Sequence, residues 1–496
     1  MIETPYGNLK RHFAQIGTWS EVLALLHWDM DSIMPTGAAE SRTEQIALLE
    51  RQLHEMTLDP RLPGWLAEAE TAQVDGLDRA NMAEMRRRLV HATAVPTDLV
   101  EAFARARSKC SMVWRNARRD NDFRSMQPYL ERVVELTREI GSARGAVLGR
   151  SPYDALVDTY DPGLSADSIA TTFSQIQAFL PELTGRVIER QASEPAPLPL
   201  DGPFPAAAQE RIARRVMAAL GFDFTRGRLD TSLHPFCGGT PDDVRITTRY
   251  QEQDVFFGLL GVIHETGHAL YELGLPVAWR RQPAGTARSM TLHESQSLLY
   301  EMQLGCSRPF LAFLAPILRE ELGVSGPQWE AENLYRLATR VRRGLIRIEA
   351  DEVTYPAHVM LRFELERALI DGSLKVAELP GAWREGMMRT VGIHAPDDRD
   401  GCLQDIHWPE GLFGYFPTYT LGALTAAQLF ESASASGDDV AAGVERGDFR
   451  PLLSWLREHV HQHASLRDGQ EIVRTATGRP LDAQAFRAHL ERRYLS

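Results

Sequence analysis

Five residues, His264-Glu-Thr-Gly-His268, carry the clearest chemistry in this sequence. On a helix, His264 and His268 lie one turn apart, so both imidazoles project from the same face. They supply two of the protein ligands that a tetrahedral zinc ion needs, and Glu265 can reach the open side of the metal, where water would bind. The flanking residues are mostly apolar, and burying ionisable side chains without a role would be costly. The pattern therefore predicts a metal site rather than a chance pentapeptide on a solvated helix.

A third protein ligand is expected in Thr291-Leu-His-Glu-Ser-Gln-Ser297. Glycines and prolines between His268 and this segment predict a helix end, a loop and a second helix. A glutamate on a following helix completes the ligand set of the glutamate-type zinc peptidases, so Glu294 is the expected third ligand. His293 does not share its helix face and is expected to make a supporting or core contact. Position 274, where metzincins have a third histidine, is Gly274, which argues against that class.

The composition indicates a large enzyme without nucleic-acid or membrane partners. The chain has 496 residues and a net charge of −13, with acidic and basic residues interspersed, so we expect no nucleic-acid partner. No apolar run approaches the roughly 20 residues of a membrane span, and the first residues lack the pattern of a secretory signal. Four separated cysteines indicate reduced thiols and a cytoplasmic protein; they are Cys110, Cys237, Cys306 and Cys402.

Helical periodicity dominates the chain, because apolar residues recur at three- and four-residue intervals between charged ones. Clear segments are Arg42–Met56, Ala80–His91, Met126–Gly141 and Ala166–Gln191. The proline-rich stretch Pro195–Pro205 is a loop or linker by composition. We therefore expect one unit over residues 1–496, with a helical N-terminal half at about 1–195 and a catalytic half at about 206–496.

One segment, Val244–Tyr250, has the alternation of a β-strand. It lies just before the expected metal helix. In zinc peptidases an edge strand at that position commonly pairs with an extended substrate, so this strand is expected to flank the cleft.

The tract His459-Val-His-Gln-His463 is a possible second metal motif, since histidine-rich tracts can bind metal. The sequence around it predicts a helix with a charged face. Residues two apart on a helix point in different directions, so we expect a core or surface role for these histidines.

Several further motifs resemble one family, the thermostable carboxypeptidases of the Taq type, peptidase family M32. Beside the zinc motif, the motifs are His27–Gly37, His234-Pro-Phe236, Asp243–Thr247, His293-Glu-Ser-Gln296, Ile346–Asp351, Gly401–Trp408 and Phe413–Tyr419. The resemblance covers nearly the whole chain, and it shows no departure at a metal or catalytic position.

The resemblance implies a mainly α-helical metallocarboxypeptidase with a deep groove, the metal near its floor and a small β element beside the metal helix. The fold is similar to that of neurolysin and angiotensin-converting enzyme. Members of the family are typically homodimers that remove C-terminal residues from peptides with broad preference. One Zn²⁺ per chain is expected, although the ligands also accept Co²⁺ or Mn²⁺.

The resemblance also implies roles for residues beyond the metal ligands. Glu265 would act as general base. The oxyanion of the tetrahedral intermediate needs a further donor, for which Tyr419 is the first candidate, because related zinc peptidases use a tyrosine in a Gly/Tyr-rich loop. Tyr415 and His407 could share or replace that role. Core packing is the alternative for each of these aromatic residues.

An exopeptidase must bind a free carboxylate, and an arginine does this best through two hydrogen bonds. Arg347 is the favoured candidate, because the resemblance assigns its motif to C-terminal recognition. Arg245 could instead shape the closed end of the groove together with His234. An ion pair between Arg347 and Asp351, four residues later on a helix, is the competing explanation for Arg347.

Three functional classes remain open at this stage. A zinc endo-oligopeptidase or a dipeptidyl carboxypeptidase would share the metal chemistry and differ in where the end of the substrate is held. A non-catalytic helical binding protein with a structural metal is disfavoured, since Glu265 is intact and three protein ligands leave one coordination position open.

Overall fold

The computed structural model describes residues 4–72, 75–437 and 439–496, so the first three residues, where no secretory signal was expected, lie outside it. Helices account for 69% of the structure and the sheet has three strands, which confirms the mainly α prediction.

The helices before the sheet are α1 (Pro5–Ser32), α2 (Ala39–Thr57), α3 (Leu62–Glu70), α4 (Gly76–Thr93), α5 (Thr97–Asp120), α6 (Phe123–Leu148), α7 (Pro152–Val157), α8 (Ala166–Gln177), α9 (Leu180–Ser193) and α10 (Ala206–Leu220).

The strands are β1 (Gly227–Thr231), β2 (Phe236–Thr240) and β3 (Asp243–Thr248). The helices after them are α11 (Val255–Gly274), α12 (Met290–Leu298), α13 (Arg308–Leu322), α14 (Ala331–Ala338), α15 (Tyr355–Asp371), α16 (Leu379–Thr390), α17 (Pro417–Ala435), α18 (Val440–Arg446), α19 (Arg450–His459), α20 (Gly469–Thr477) and α21 (Gln484–Leu495).

The chain forms two compact units, each built from three separate segments. The first unit comprises Met1–Ala92, Pro197–Ala338 and Thr425–Leu481, and the second comprises Thr93–Ala196, Thr339–Leu424 and Asp482–Ser496. One crossing between them, at Ala196 and Pro197, lies in the predicted proline-rich linker. The division into an N-terminal and a catalytic half stays a prediction, since both units draw on residues before and after this stretch.

The expected helices are present, with one interruption. Residues 166–191 form α8 and α9 rather than one helix. Pro181 has no N–H to donate to the preceding turn, so the chain begins a new helix with this proline in its first turn. Near the start of the chain, α1, α3 and α4 pack around a separate apolar cluster, to which they contribute residues such as Phe13, Leu66 and Met85.

The sheet packs against α11 in the first unit and shares a core with α10, and this core contains Leu229, Val244, Ile246 and Val262. Its strand order is β1-β3-β2, with β3 parallel to β1 and antiparallel to β2. The predicted strand is confirmed as β3, but its expected edge position is wrong. Both rows of β3 backbone groups face a neighbouring strand, so they are not free to pair with a substrate.

The second unit contains a buried carboxylate that joins three parts of its fold. Glu366 on α15 accepts hydrogen bonds from the Tyr153 hydroxyl at 2.8 Å, the Trp408 indole at 3.0 Å and the Gly414 backbone N–H at 3.0 Å. Burial raises the pKa of Glu366 to about 7, despite these donors. This carboxyl holds the segment after residue 407, in which the predicted site residues Tyr415 and Tyr419 lie.

Candidate metal centre and active site

The helix α11 presents the two histidines of the predicted motif on one face. At its start, the Asp254 carboxylate accepts hydrogen bonds from the backbone N–H groups of Phe256 and Phe257 at 2.9 and 3.1 Å. This cap satisfies donors of the first turn. The rings of His264 and His268 have their centroids 4.9 Å apart, as expected for residues one turn apart.

Gly267, between the two histidines, lets α12 approach α11 closely. A Cβ atom at this position would lie 2.4 Å from the backbone oxygen of Gln296. The Oε1 atom of Glu294 on α12 lies 3.8 Å from Nε2 of His264, and its Oε2 atom lies 3.6 Å from Nε2 of His268. The three ligand atoms all lie within 4.8 Å of one another, so the structure brings the three predicted metal ligands together.

Both histidines are held through their Nδ1 atoms, which leaves Nε2 for a metal. Nδ1 of His264 donates to Oε2 of Glu301 at 2.7 Å, and Nδ1 of His268 lies 2.6 Å from Nδ1 of His293. Glu301 lies on the π-helical turn Leu299–Gly305, which continues α12; such turns are frequent at functional sites. Partners of this kind orient metal-binding imidazoles and select their tautomer.

Carboxylates make this site suitable for a cation. Burial is the main reason that the pKa of Glu265 rises to about 7. Burial alone would lower the pKa of His264, but its hydrogen bond to Glu301 and the charge of Glu294 raise it to about 10. Burial keeps the pKa of His268 well below its usual range, so this imidazole is neutral. Two imidazoles and one carboxylate fit a divalent metal with an open coordination position, and such a metal would replace the proton at Nε2 of His264.

In the second unit, Arg347 is buried, with 5% of its surface exposed. Its Nε and Nη2 atoms donate to Oδ1 of Asp405 at 3.0 and 2.8 Å, and Nη1 donates to the Tyr355 hydroxyl at 2.9 Å. The Nε atom of Arg362 donates to Oδ2 of the same aspartate at 2.7 Å. Arg347 therefore pairs with Asp405, and the alternative pairing with Asp351 is wrong. Asp351 instead accepts hydrogen bonds from backbone N–H groups.

The three charged groups of this cluster do not cancel. Burial alone would raise the pKa of Asp405, but the guanidinium groups of Arg347 and Arg362 hold it well below its usual range. Two guanidinium groups against one carboxylate leave an excess of one positive charge, which a further anion could balance.

The predicted aromatic donors lie beside this cluster. The Tyr419 hydroxyl is 3.0 Å from Nε2 of His407, and the ring of His407 stacks on Phe416 with centroids 4.3 Å apart. The Tyr415 ring lies 5.4 Å from that of Tyr419. Burial, with the charge of Arg347, lowers the pKa of His407 to about 3. His407 is therefore neutral, and its hydrogen bond with Tyr419 does not involve an imidazolium.

The remaining predicted residues lie in the first unit. Arg245 on β3 donates to both oxygens of Asp243, at 3.0 and 2.7 Å, and its guanidinium lies 4.3 Å from the centre of the Trp28 ring. Arg228, its partner across β1 and β3, contacts the same indole at 5.1 Å. His234 is exposed between β1 and β2. The structure thus places Arg245 in a sheet-to-α1 contact.

The comparisons with known proteins agree with this geometry. A family model described as carboxypeptidase Taq (M32) metallopeptidase matches residues 8–494. The chain belongs to the M32 family of metallopeptidases.

Relatives of this M32 chain resemble it over their full length. The thermostable carboxypeptidase 1 of Thermus thermophilus is 38% identical over 99% of this chain and 98% of its own, and carboxypeptidase 1 of Bacillus subtilis is 31% identical over 97% and 96%. Among solved structures, metallocarboxypeptidase 1 of Trypanosoma cruzi has a TM-score of 0.97 at 41% identity, covering 99% of both chains. The M32 carboxypeptidase of Deinococcus radiodurans has a TM-score of 0.92 at 34% identity, covering 99% and 100%. The protein is a metallocarboxypeptidase, and therefore a hydrolase.

Two partners of the candidate metal ligands were not predicted from the sequence. Glu272 contacts His293 at 2.9 Å, and Glu301 contacts His264. Helical spacing could have identified Glu272, because this residue follows His268 by one further turn and lies on the same face of the helix. No comparable signal marks Glu301, which reaches its histidine from another element through a π-helical turn.

The histidine tract near residue 460 does not form a second metal site. The helix α19 ends at His459, and His461 is buried, with Nε2 3.0 Å from Oε1 of Gln296. Within the described residues, the group His264, His268 and Glu294 is the one set of three potential ligands close enough to share a metal. Nor does any helix there combine the length and apolar character that crossing a membrane requires.

Proposed function

We propose that this M32 enzyme removes single C-terminal residues from peptides with broad side-chain preference, using Glu265 as general base. The observation that carries this proposal is the three-ligand site: it leaves a coordination position open, beside a buried glutamate whose pKa is about 7. A purely structural metal site is usually closed by four protein ligands. A base whose pKa lies near the working pH is well suited to both halves of a hydrolytic cycle.

His264, His268 and Glu294 would hold the metal, whose Lewis acidity activates water and polarises the scissile carbonyl. Glu265 accepts a proton from the attacking water as the C–O bond forms. It then delivers this proton to the leaving amine as the C–N bond breaks. Its burial supports this transfer, because a carboxyl in a dry environment binds and releases a proton near neutral pH.

We assign the stabilisation of the oxyanion to the Tyr419 hydroxyl, with Tyr415 and His407 as the neighbouring alternatives. A phenol can donate to a developing negative charge without prior ionisation. A neutral His407 that donates from Nε2 to the Tyr419 oxygen supports this role, because the phenol then keeps its own proton for donation to the oxyanion.

Arg347 is our candidate for binding the free carboxylate of the substrate. Its three hydrogen bonds to Asp405 and Tyr355 leave two of the five N–H groups of a guanidinium. The excess positive charge of the Arg347, Arg362 and Asp405 cluster favours an added carboxylate. Arg245 and His234 remain the second candidates for a role in substrate binding, although Arg245 is already paired with Asp243 at both carboxylate oxygens.

The metal ion, the compartment, the oligomeric state and the partners are proposed from the family resemblance and from the types of metal ligand. Zn²⁺ is the proposed ion, one per chain, and Co²⁺ and Mn²⁺ suit the same ligands. We propose a cytoplasmic homodimer that acts on peptides and has no nucleic-acid or membrane partner. Four free cysteines are consistent with a reducing compartment.

The test compares one peptide with a free and an amidated C-terminus, by the kcat/KM of the metal-loaded enzyme. Release of single residues from the free peptide, with almost no cleavage of the amidated one, supports the proposal. Equal cleavage of both peptides supports an endo-oligopeptidase, and release of dipeptides supports a dipeptidyl carboxypeptidase; either result contradicts the single-residue assignment. Mass spectrometry of the products distinguishes all three.

A further inference from the structure

Besides the close packing at Gly267, the loop between the two candidate metal-binding helices connects the elements that carry the ligands. Residues 275–289, called the ligand loop here, connect α11, which carries both histidines, with α12, which carries Glu294. The loop contains two short 3-10 turns, Val277–Trp279 and Pro283–Gly285. The loop therefore has a defined conformation, and the residues that it contacts maintain its position.

A buried asparagine of α4 holds the middle of the ligand loop. Asn81 has no exposed surface. Its Nδ2 atom donates to Oε1 of Gln282 at 3.1 Å, and its Oδ1 atom accepts from the backbone N–H of Ala284 at 3.1 Å. The same Nδ2 atom lies 3.3 Å from the Tyr6 hydroxyl on α1. One amide thus joins α1, α4 and the ligand loop.

The helix α1 makes two further contacts with the same loop. Gln282 donates through Nε2 to the backbone oxygen of Lys10 at 2.9 Å. Gly17 faces Arg281, and a Cβ atom on this glycine would lie 2.7 Å from the Cβ atom of Arg281. Arg281 itself has a φ of +61°, a left-handed conformation that the surrounding contacts must maintain.

We propose that Asn81 is a positioning residue for the metal ligand Glu294, and that α1 and α4 set metal affinity by fixing the ligand loop. The proposal rests on the proposed function, in which Glu294 is a ligand. Asn81 contacts neither the ligands nor the partners of their imidazoles, so its effect has to pass through Gln282 and Ala284.

The physical reason is the narrow tolerance of metal coordination. Ligand distances vary by only about 0.2 Å in good sites, and the ligands here lie on two helices joined by one loop. Buried amide hydrogen bonds are directional, and leaving their partners unsatisfied is unfavourable. Without the Asn81 contacts, the Gln282 side chain and the Ala284 backbone N–H would form other hydrogen bonds. The loop would then change conformation and shift the start of α12.

The main experiment measures the Zn²⁺ affinity of Asn81→Leu by competition with a chelating dye, starting from metal-free protein. Leucine is similar in size and makes no hydrogen bonds. We expect Zn²⁺ to bind roughly tenfold more weakly, at the low end of the range for direct partners of metal ligands, because Asn81 acts on Glu294 only through the loop. Met85→Ala is the matched control: it lies one turn further along α4, is equally buried and packs into the apolar cluster of α1 and α3. This control should lower the melting temperature and change metal affinity by less than about threefold.

A second variant tests the same loop without removing a polar group. Gly17→Ala improves the helix propensity of α1 but forces Arg281 away, so it should also weaken Zn²⁺ binding. Gly64→Ala on α3 is its control, because a Cβ atom there has no neighbour within 4 Å. Hydrogen exchange of metal-free protein should show faster exchange at residues 282–294 in both Asn81→Leu and Gly17→Ala, and not in the controls.

The outcomes distinguish a failure of the positioning role of Asn81 from a failure of the proposed metal site. Wild-type affinity in both Asn81→Leu and Gly17→Ala would overturn the positioning role, even if both variants melt earlier. If Asn81→Leu does not fold, Gly17→Ala decides alone. If Glu294→Ala retains wild-type Zn²⁺ affinity, the proposed metal site itself fails, and the role of Asn81 fails with it.

Discussion

The Nδ1 atoms of His268 and His293 lie 2.6 Å apart, and Nε2 of His293 lies 2.9 Å from Oε1 of Glu272. A carboxylate only accepts hydrogen bonds, so Nε2 of His293 carries a proton and donates to Glu272. Its Nδ1 atom is then an acceptor, and Nδ1 of His268 must be the donor. The chain from Glu272 to His268 therefore directs the free electron pair of Nε2 of His268 towards Glu294 and the metal position.

The first prediction concerns this chain of hydrogen bonds. His293→Leu removes the acceptor for Nδ1 of His268, so this imidazole can change its tautomer, and Zn²⁺ affinity should fall about 10–100-fold. His293→Gln can place an amide oxygen near the same donor and should lose less. Chelator competition on metal-free protein measures both affinities. Equal losses in the two variants would contradict the tautomer argument.

The second prediction concerns the close approach at Gly267. Gly267→Ala places a Cβ atom 2.4 Å from the backbone oxygen of Gln296, so α12 must move and carry Glu294 out of reach. We expect loss of bound metal by elemental analysis. Gly261→Ala is the control, because it lies on the same helix and its Cβ atom would have no neighbour within 4 Å. The control should retain its metal and be at least as stable as wild type. Metal loss in Gly261→Ala as well would contradict the explanation by the close approach of α12 at Gly267.

The third prediction separates the base from the ligands. Glu265→Gln removes the base and leaves the ligand set, so metal content should stay near that of wild type while kcat falls by several orders of magnitude. Alanine at His264, His268 or Glu294 should remove metal and activity together. Substantial turnover by Glu265→Gln would show that another group accepts the proton.

The fourth prediction concerns carboxylate binding. Arg347→Ala should lower kcat/KM for free peptides by roughly 30–1000-fold, because a charge-assisted contact in a partly dry site contributes about 2–4 kcal/mol. Metal content should not change. The variant should cleave free and amidated peptides at more similar, low rates. Arg245→Ala is the comparison: if it loses this discrimination and Arg347→Ala keeps it, the carboxylate role belongs to Arg245.

The fifth prediction follows from the raised pKa of Glu366. Its folded-state pKa of about 7 lies above the ordinary value of 4.5, so folding favours the protonated carboxyl. The resulting stability is complete below pH 4.5 and is lost as the pH rises through 7, by up to about 3 kcal/mol. Glu366→Gln stays neutral, so the melting temperature of its metal-free form should fall less between pH 5 and 8 than that of wild type. An equal fall in the melting temperature of the two proteins between pH 5 and 8 would contradict the raised pKa of Glu366.

Local spacing explains why the sequence alone points to the candidate metal ligands. His264 and His268 share a face through helix geometry alone, and the turn signals after them made a second helix bearing Glu294 the natural continuation. The same reasoning failed for β3, where alternation identified the strand but not its neighbours. Strand order depends on where β1 and β2 pack, and the alternation of one strand does not encode that.

The sequence by itself determined the mainly helical fold, the M32 resemblance and the three candidate metal ligands, because each depends on side-chain directions within one element or on continuous motifs. Only the tertiary structure decided the partners: Glu301 for His264, Asp405 for Arg347, and Asn81 for the ligand loop. These contacts join residues 37, 58 and 201 positions apart or more. Such pairs form when whole elements pack and buried polar groups must find partners, and no local spacing specifies which partner each will meet.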